Sequence, residues 1–359
     1  MSCCFLSCNQ QGKGYVATSE IISFDKVGKS DFEISDLTYV PLETTEQSLI
    51  GSIDKIVYRN DKYYILDKTL NKSVYIFDKT GAFIYSINKS GEGPGEYLEM
   101  MDMDVDNNNN IYVADNGKMS IIKYINASPD TYETISVGEH FFEFRHLNGT
   151  LFVLRDIFGK DGQKMNLAIF DSGDNSLKPL LSDIQKDINE LDILRCSKHY
   201  LYHAEEGILY NERFTPDIYS VDKKGQLHKK YTISSANYAP RDVLKGLEKN
   251  PVKFIQESKY IKDVIGLHEN DKYFVCMPFM TPSASYLLIP KDTPENAKTI
   301  DLSAKKELVG TSQIELVAEN KFVVVMNYSE SQAENLKNNP QCIGWNEESN
   351  PILVLFNIQ

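Results

Sequence analysis

The feature that most constrains this chain is a phrase of two short strands, joined by a polar turn and closed by Asp, that is used more than once. It first reads Ile56-Val57-Tyr58-Arg59-Asn60-Asp61-Lys62-Tyr63-Tyr64-Ile65-Leu66-Asp67. It returns as Met103-Asp104-Val105-Asp106, an Asn run at 107–110, and Ile111-Tyr112-Val113-Ala114-Asp115. Period-two alternation marks half-buried strands, and Tyr, Ile and Val suit a pleated surface. A multi-stranded unit recurring every roughly 40–50 residues cannot bury both its faces alone, so copies must stack. The arrangement this favours is a β-propeller.

The pattern divides into six blades, at about 53–87, 100–137, 141–181, 193–233, 264–302 and 314–356. Lys79-Thr80-Gly81 ends blade one with Gly at a position needing positive φ, and Asn148-Gly149 is the strongest hairpin signal in the chain. The Asn run at 107–110 is a turn, because Asn tolerates the left-handed region. Three segments carry helical spacing instead: 180–191, 240–248 behind Pro240, and 329–336. They read as insertions, and the helical one between blades four and five argues against a seventh blade. Asp36-Leu37-Thr38-Tyr39-Val40-Pro41-Leu42 is a strand placed to complete the last blade, closing the ring and removing an exposed edge. The expected fold is therefore all-β, a six-bladed β-propeller of four-stranded antiparallel blades with short helical insertions. It occupies residues 34–359 as one domain, behind a signal remnant, tether and linker at 1–33.

Composition narrows the partners. With 38 Lys and Arg against 51 Asp and Glu, the net charge is −13, and no basic block exists. Nucleic acid and an anionic membrane surface are thereby disfavoured, since phosphate contacts need clustered cations. Cys3, Cys4 and Cys8 crowd the N-terminus, while Cys196, Cys276 and Cys342 are scattered and form no C-x-x-C pair. The scattered three read as buried thiols rather than a zinc or redox site. Phe5-Leu6-Ser7-Cys8-Asn9 resembles the end of a bacterial lipoprotein signal, with Cys8 as the lipid acceptor and 9–13 as a polar tether. The alternative is an uninformative N-terminus. No acidic residue directly follows Cys8, which the export rule of such proteins associates with the periplasmic side.

The chain also resembles the six-bladed propeller lipoproteins of Bacteroides-type bacteria, themselves similar to NHL-repeat propellers. The resemblance rests on Gly91-Glu92-Gly93-Pro94-Gly95-Glu96-Tyr97, on the 104–115 blade phrase, on Asp217-Ile218-Tyr219-Ser220-Val221 and on Asn350-Pro351-Ile352-Leu353-Val354-Leu355-Phe356. It covers nearly the whole chain after about residue 34. It implies an exported, lipid-anchored propeller of the cell envelope and supplies no catalytic residues.

Local motifs give few sites. Gly91, Glu92, Gly93, Gly95, Glu96 and Tyr97 form a Gly-rich loop that can bring backbone close to a ligand. It lacks the Gly-Lys-Ser/Thr ending of a phosphate loop, and a tight crossover between blades one and two explains it equally. Asp104, Asp106, Asn108 and Asp115 echo a calcium loop, but Asn109 stands where Gly belongs and Asp115 where a bidentate Glu belongs. His199 and His203 share a strand face, followed by Glu205 and Glu206. At roughly 13 Å apart they are too distant for one zinc on a straight strand. No nucleophile elbow and no zinc-binding His-Glu-x-x-His helix occurs.

The expectation is a non-catalytic, envelope-anchored binding or scaffold propeller, monomeric, without cofactor, meeting the membrane only through its lipid. Its loops would face a glycan, peptide or protein partner. The alternative is a metal-dependent hydrolase or lyase of lactonase type with its site in the central channel, for which Asp67, Asp115 and Arg155 are conceivable contributors.

Overall fold

The computed structural model describes residues 19–29, 32–155, 167–180, 198–204, 207–212, 214–240, 243, 259–280 and 285–359. Six sheets are arranged as blades, each opening on an inner strand and meandering outward through antiparallel pairs. The inner strands, in order, are Lys55–Arg59, Met100–Val105, Phe141–Leu147, Leu201–Ala204, Asp263–Glu269 and Thr311–Ala318. The six-bladed, four-stranded architecture expected from the repeat is the one formed.

Second strands are apolar on both faces because each blade is sandwiched between two others. Tyr63, Tyr64, Ile65 and Leu66 are all buried on consecutive positions, and so are Ile111, Tyr112, Val113 and Ala114. Core residues accordingly fall between blades: Val57, Tyr64 and Ile76 pack with Met103 and Val113 across blades one and two. Tyr112, Ala114 and Ile121 do the same with Phe144 and Val153 across blades two and three.

The hairpins joining inner to second strands are set by turn chemistry. In blade one Arg59 pairs with Lys62, leaving Asn60 and Asp61 as the turn, with φ of 50° and 57°. Asn148 and Gly149 do the same in blade three, and Glu319 and Asn320 in blade six, all with positive φ. Two-residue turns of this kind match the right-handed twist of the strands they join.

Ring closure follows the expected route. Ile34–Pro41 pairs antiparallel with the last strand, Ile352–Ile358, and becomes the outer strand of blade six. Ahead of it, Glu20–Ser23 runs parallel to the outer strand of blade four and Gly28–Lys29 parallel to that of blade five. The helix expected at 329–336 is present as Glu330–Leu336, with the Ser329 side chain accepting from the Gln332 amide. The helical readings at 240–248 and 180–191 lie outside the described residues, apart from Leu180, Pro240 and Val243. Cys276 and Cys342 are buried free thiols, while Cys196 lies outside the described residues.

Candidate functional site

Inner strands must satisfy two environments, with one face packed between blades and the other turned to the channel. In this chain the channel face carries charge. Lys55, Asp102, Asp104, Glu143 and Arg145 are each at most 5% exposed, at a depth where an unpaired charge would be costly. Each is paired. The Lys55 ammonium donates to Asp102 at 2.7 Å and to the Met103 carbonyl. Arg145 donates to Asp102 at 3.0 Å and to the Leu201 carbonyl.

The same carboxylates accept backbone amides of the next blade. Asp102 takes the amide of Phe144, Asp104 that of His146, and Glu143 those of Tyr200 and Leu201. Glu143 also meets the Nδ1 of His199 at 2.8 Å, and Asp104 meets Nε2 of His203 at 2.5 Å. The result is a chain of ionic and backbone contacts linking blades one to four around the channel.

This environment sets the protonation states. Burial works to raise the Asp102 carboxyl, but Lys55, Arg145 and His199 together hold it below the usual carboxylate range. Asp104 is also held low, burial being outweighed by His203, Lys55 and Arg145. Burial lowers the His203 imidazole despite Asp104, and lowers His268 to about 4. Glu315, across the channel on blade six, is pushed up by burial.

Where the inner strands end, the channel opens into a cavity of about 300 Å³. Its wall includes Tyr58 and Arg59 of blade one, Arg145 of blade three, His199 and His203 of blade four, His268 and Glu269 of blade five, and Glu315 of blade six. Among the described residues, the wall includes no Ser, Thr or Cys. Among the described residues, no three His, Cys, Asp or Glu side chains group to hold a metal ion.

The residues singled out from sequence are dispersed. Gly91 to Tyr97 form the crossover between blades one and two. The Lys118 ammonium donates to the carbonyls of Gly91, Glu92, Gly93 and Glu96, and the Glu96 carboxylate accepts the Gly93 amide. Tyr97 is fully buried, its hydroxyl donating to the Lys72 carbonyl at 2.6 Å.

Asp104 turns to the channel, whereas Asp106 caps its own hairpin by accepting from the Asn108 and Asn110 amides. Asp115 sits opposite Met100 at the other end of the blade, so the calcium-like spacing does not become one ligand set. Asp67 and Asp115, conceived as channel ligands, are instead backbone caps. Asp67 accepts amides from Gly51, Ser52, Leu70 and Asn71, and Asp115 those of Leu98 and Glu99. Arg155 pairs with Glu139 at 2.8 Å. His199 and His203 do both line the cavity, on different acidic partners. Cys8, Glu205 and Glu206 lie outside the described residues.

Lys55, Arg59, Asp102, Glu143, Arg145, His268 and Glu315 were not singled out from the sequence. Their one signal was charge alternating with apolar residues in the first strand of a blade, as in Phe142-Glu143-Phe144-Arg145.

The chain belongs to the family described as Domain of unknown function (DUF4934), whose model matches residues 19–357. Among solved structures it is similar to a presumed exported protein of Bacteroides fragilis, at 19% identity and a TM-score of 0.72, over 96% of this chain and 100% of that one. It is also similar to a DUF4221 family member of Bacteroides vulgatus, at 12% identity and a TM-score of 0.60, over 93% of this chain and 99% of that one. At these identities the likeness is one of fold. No curated protein matches the chain.

Proposed function

We propose that this chain is an exported, non-catalytic binding propeller that receives its ligand at the channel mouth. The observation that carries the reading is the cavity of about 300 Å³ walled by charged, imidazole and aromatic side chains, with no Ser, Thr or Cys among its described residues. Behind it the acids and bases are locked in ion pairs and backbone hydrogen bonds, an arrangement that holds blades together rather than one poised to move protons. A rigid ring presenting a polar pocket at one end suits recognition of a glycan or peptide group, or of a protein segment that places such a group there. Export is supported by the description of the Bacteroides fragilis neighbour, and lipid attachment at Cys8 by the signal-like residues around it. No helix among the described residues is long and apolar enough to cross a membrane.

A thermal-shift screen of oligosaccharides, peptides and divalent metals, with a chelator control, tests this. A ligand at 100 times its Kd raises stability by about 2.7 kcal/mol, well within detection. A shift with sugar or peptide, indifferent to chelator, is expected. A chelator-reversible shift with calcium or zinc would move the reading to a metal-dependent hydrolase or lyase.

A further inference from the structure

Among the described residues, the cavity wall carries one cation without a matching acceptor. Arg59 ends the inner strand of blade one, and its Nε–H is buried without an acceptor. Among the described residues its guanidinium has neither hydrogen-bond partner nor ion pair. The other charges of the wall are engaged: Lys55 and Arg145 with Asp102, Glu269 with Lys230, Asp271 with Asn320. Arg145, 2% exposed at the cavity's base, likewise has an Nε–H without an acceptor. Among the described residues, two residues that line the cavity thus each keep a guanidinium N–H without an acceptor.

Among the described residues, no carboxylate forms an ion pair with Arg59. Its field, added to the larger effect of burial, lowers the imidazoles of His146 and His203. Glu315, raised by burial, is displaced toward its neutral form and makes no ion pair with Arg59. A guanidinium does not deprotonate in proteins, so the charge stays. Its planar fork fits a carboxylate or phosphate through two parallel hydrogen bonds.

We propose that the cavity binds a small polar molecule by its carboxylate, with Arg59 as the anchoring residue; the inference rests on the channel mouth being the binding site. Carboxylate is favoured over phosphate because the acidic Glu269 and Asp271 share the wall and oppose a second negative charge. Tyr58 and Tyr202 also line the cavity, and a hexuronic acid, a polar ring bearing one carboxylate, is the probe. The volume stands at the lower end for small-molecule sites, in keeping with one or two such units.

The test is calorimetric titration of the purified protein with D-galacturonate, D-galactose and galactose 6-phosphate, repeated on Arg59→Gln and Arg59→Lys. Galacturonate is expected to bind at least tenfold tighter than galactose. Arg59→Gln should abolish that preference and Arg59→Lys restore only part of it, keeping charge without the fork. Both variants should melt no lower than the parent, since no partner of Arg59 is lost. Equal binding of galactose and galacturonate, unchanged in Arg59→Gln, would overturn the carboxylate anchor while leaving the binding propeller intact. Tighter binding of the phosphate would reassign the anchor to phosphate. Absence of binding by all three sugars would overturn the inference, and the wider ligand screen then decides separately whether the propeller binds at all.

Discussion

At the scale of single residues, the channel shows how charge survives burial. Asp102 is held by Lys55, by Arg145 and by the Phe144 amide, so its removal strands two buried cations at once. Asp102→Asn should cost about 3–5 kcal/mol in urea unfolding, and adding Lys55→Met should recover part of the loss. A cost under about 1 kcal/mol would mean the pair contributes little to stability. His268 makes a second prediction, in pH. Its ring donates to the Ile314 carbonyl, and burial lowers its pKa from 6.5 to about 4. The unfolded chain therefore binds a proton that the folded one refuses as pH falls through that window. Stability should drop by roughly 3 kcal/mol between pH 6.5 and 4, and His268→Gln should flatten that slope. The depressed carboxyls of Asp102 and Asp104 act in a separate window, their contribution being lost below the ordinary Asp value of 3.8. These residues were illegible in the sequence for a physical reason. An inner strand alternating charge with apolar residues looks like any half-exposed strand. Only the packing of blades around the channel sets Arg145 beside Asp102, 43 positions apart, and His203 beside Asp104, 99 apart.

At the scale of elements, legibility was far greater because the signals are local. Asn148-Gly149 reads as a hairpin since both residues accept positive φ, and it forms one with φ of 50° and 82°. Ser329 reads as a helix start and caps Glu330–Leu336. The Asp that closes the repeated phrase was legible as a recurrent feature but not as a device. In blade one, Asp67 gathers the amides of Gly51 and Ser52 from the incoming chain and those of Leu70 and Asn71 from the following turn. It thereby ties the entry of a blade to its second strand. Asp115 does the same in blade two with the Leu98 and Glu99 amides and a longer contact to Lys118. Leaving such amides unsatisfied costs about 1–3 kcal/mol per buried group, so Asp67→Ala should destabilise by about 3 kcal/mol or more. Asp115→Ala should cost less, because fewer donors depend on it. Chemical denaturation of the two variants checks the order, and the reverse ranking would show that these caps do not act through their donor count.

At the scale of the molecule, closure carries the fold. Without Ile34–Pro41, the strand Ile352–Ile358, apolar at every position but Asn357, would present an open edge, the template on which other chains add. The seam is reinforced on both sides. Glu33 and Gln359 exchange both backbone hydrogen bonds at 2.9 Å, and the Asn350 side chain ties the Glu43 and Ser48 carbonyls to the final strand. Tyr39 faces the core shared by blades five and six, while Val40 and Leu42 face that of blades six and one, so the latch seals both flanks of one blade. The parallel strands Glu20–Ser23 and Gly28–Lys29 differ in kind, since they extend outer edges without closing the ring. Two truncations separate these roles. A chain starting at Phe32 loses the parallel strands and the Asp25 contacts to Ser235 and Ala236, and should keep the oligomeric state of the full chain and unfold cooperatively with a lower Tm. A chain starting at Glu43 loses the latch and several buried side chains with it, and should elute as oligomers or aggregates in size-exclusion chromatography and lose its cooperative transition. A latchless chain that kept the full chain's oligomeric state and melted within a few degrees of it would show that the blade interfaces hold the ring without a clasp. Equal damage from both truncations would show that the N-terminal segment acts as one unit, latch and edge strands together.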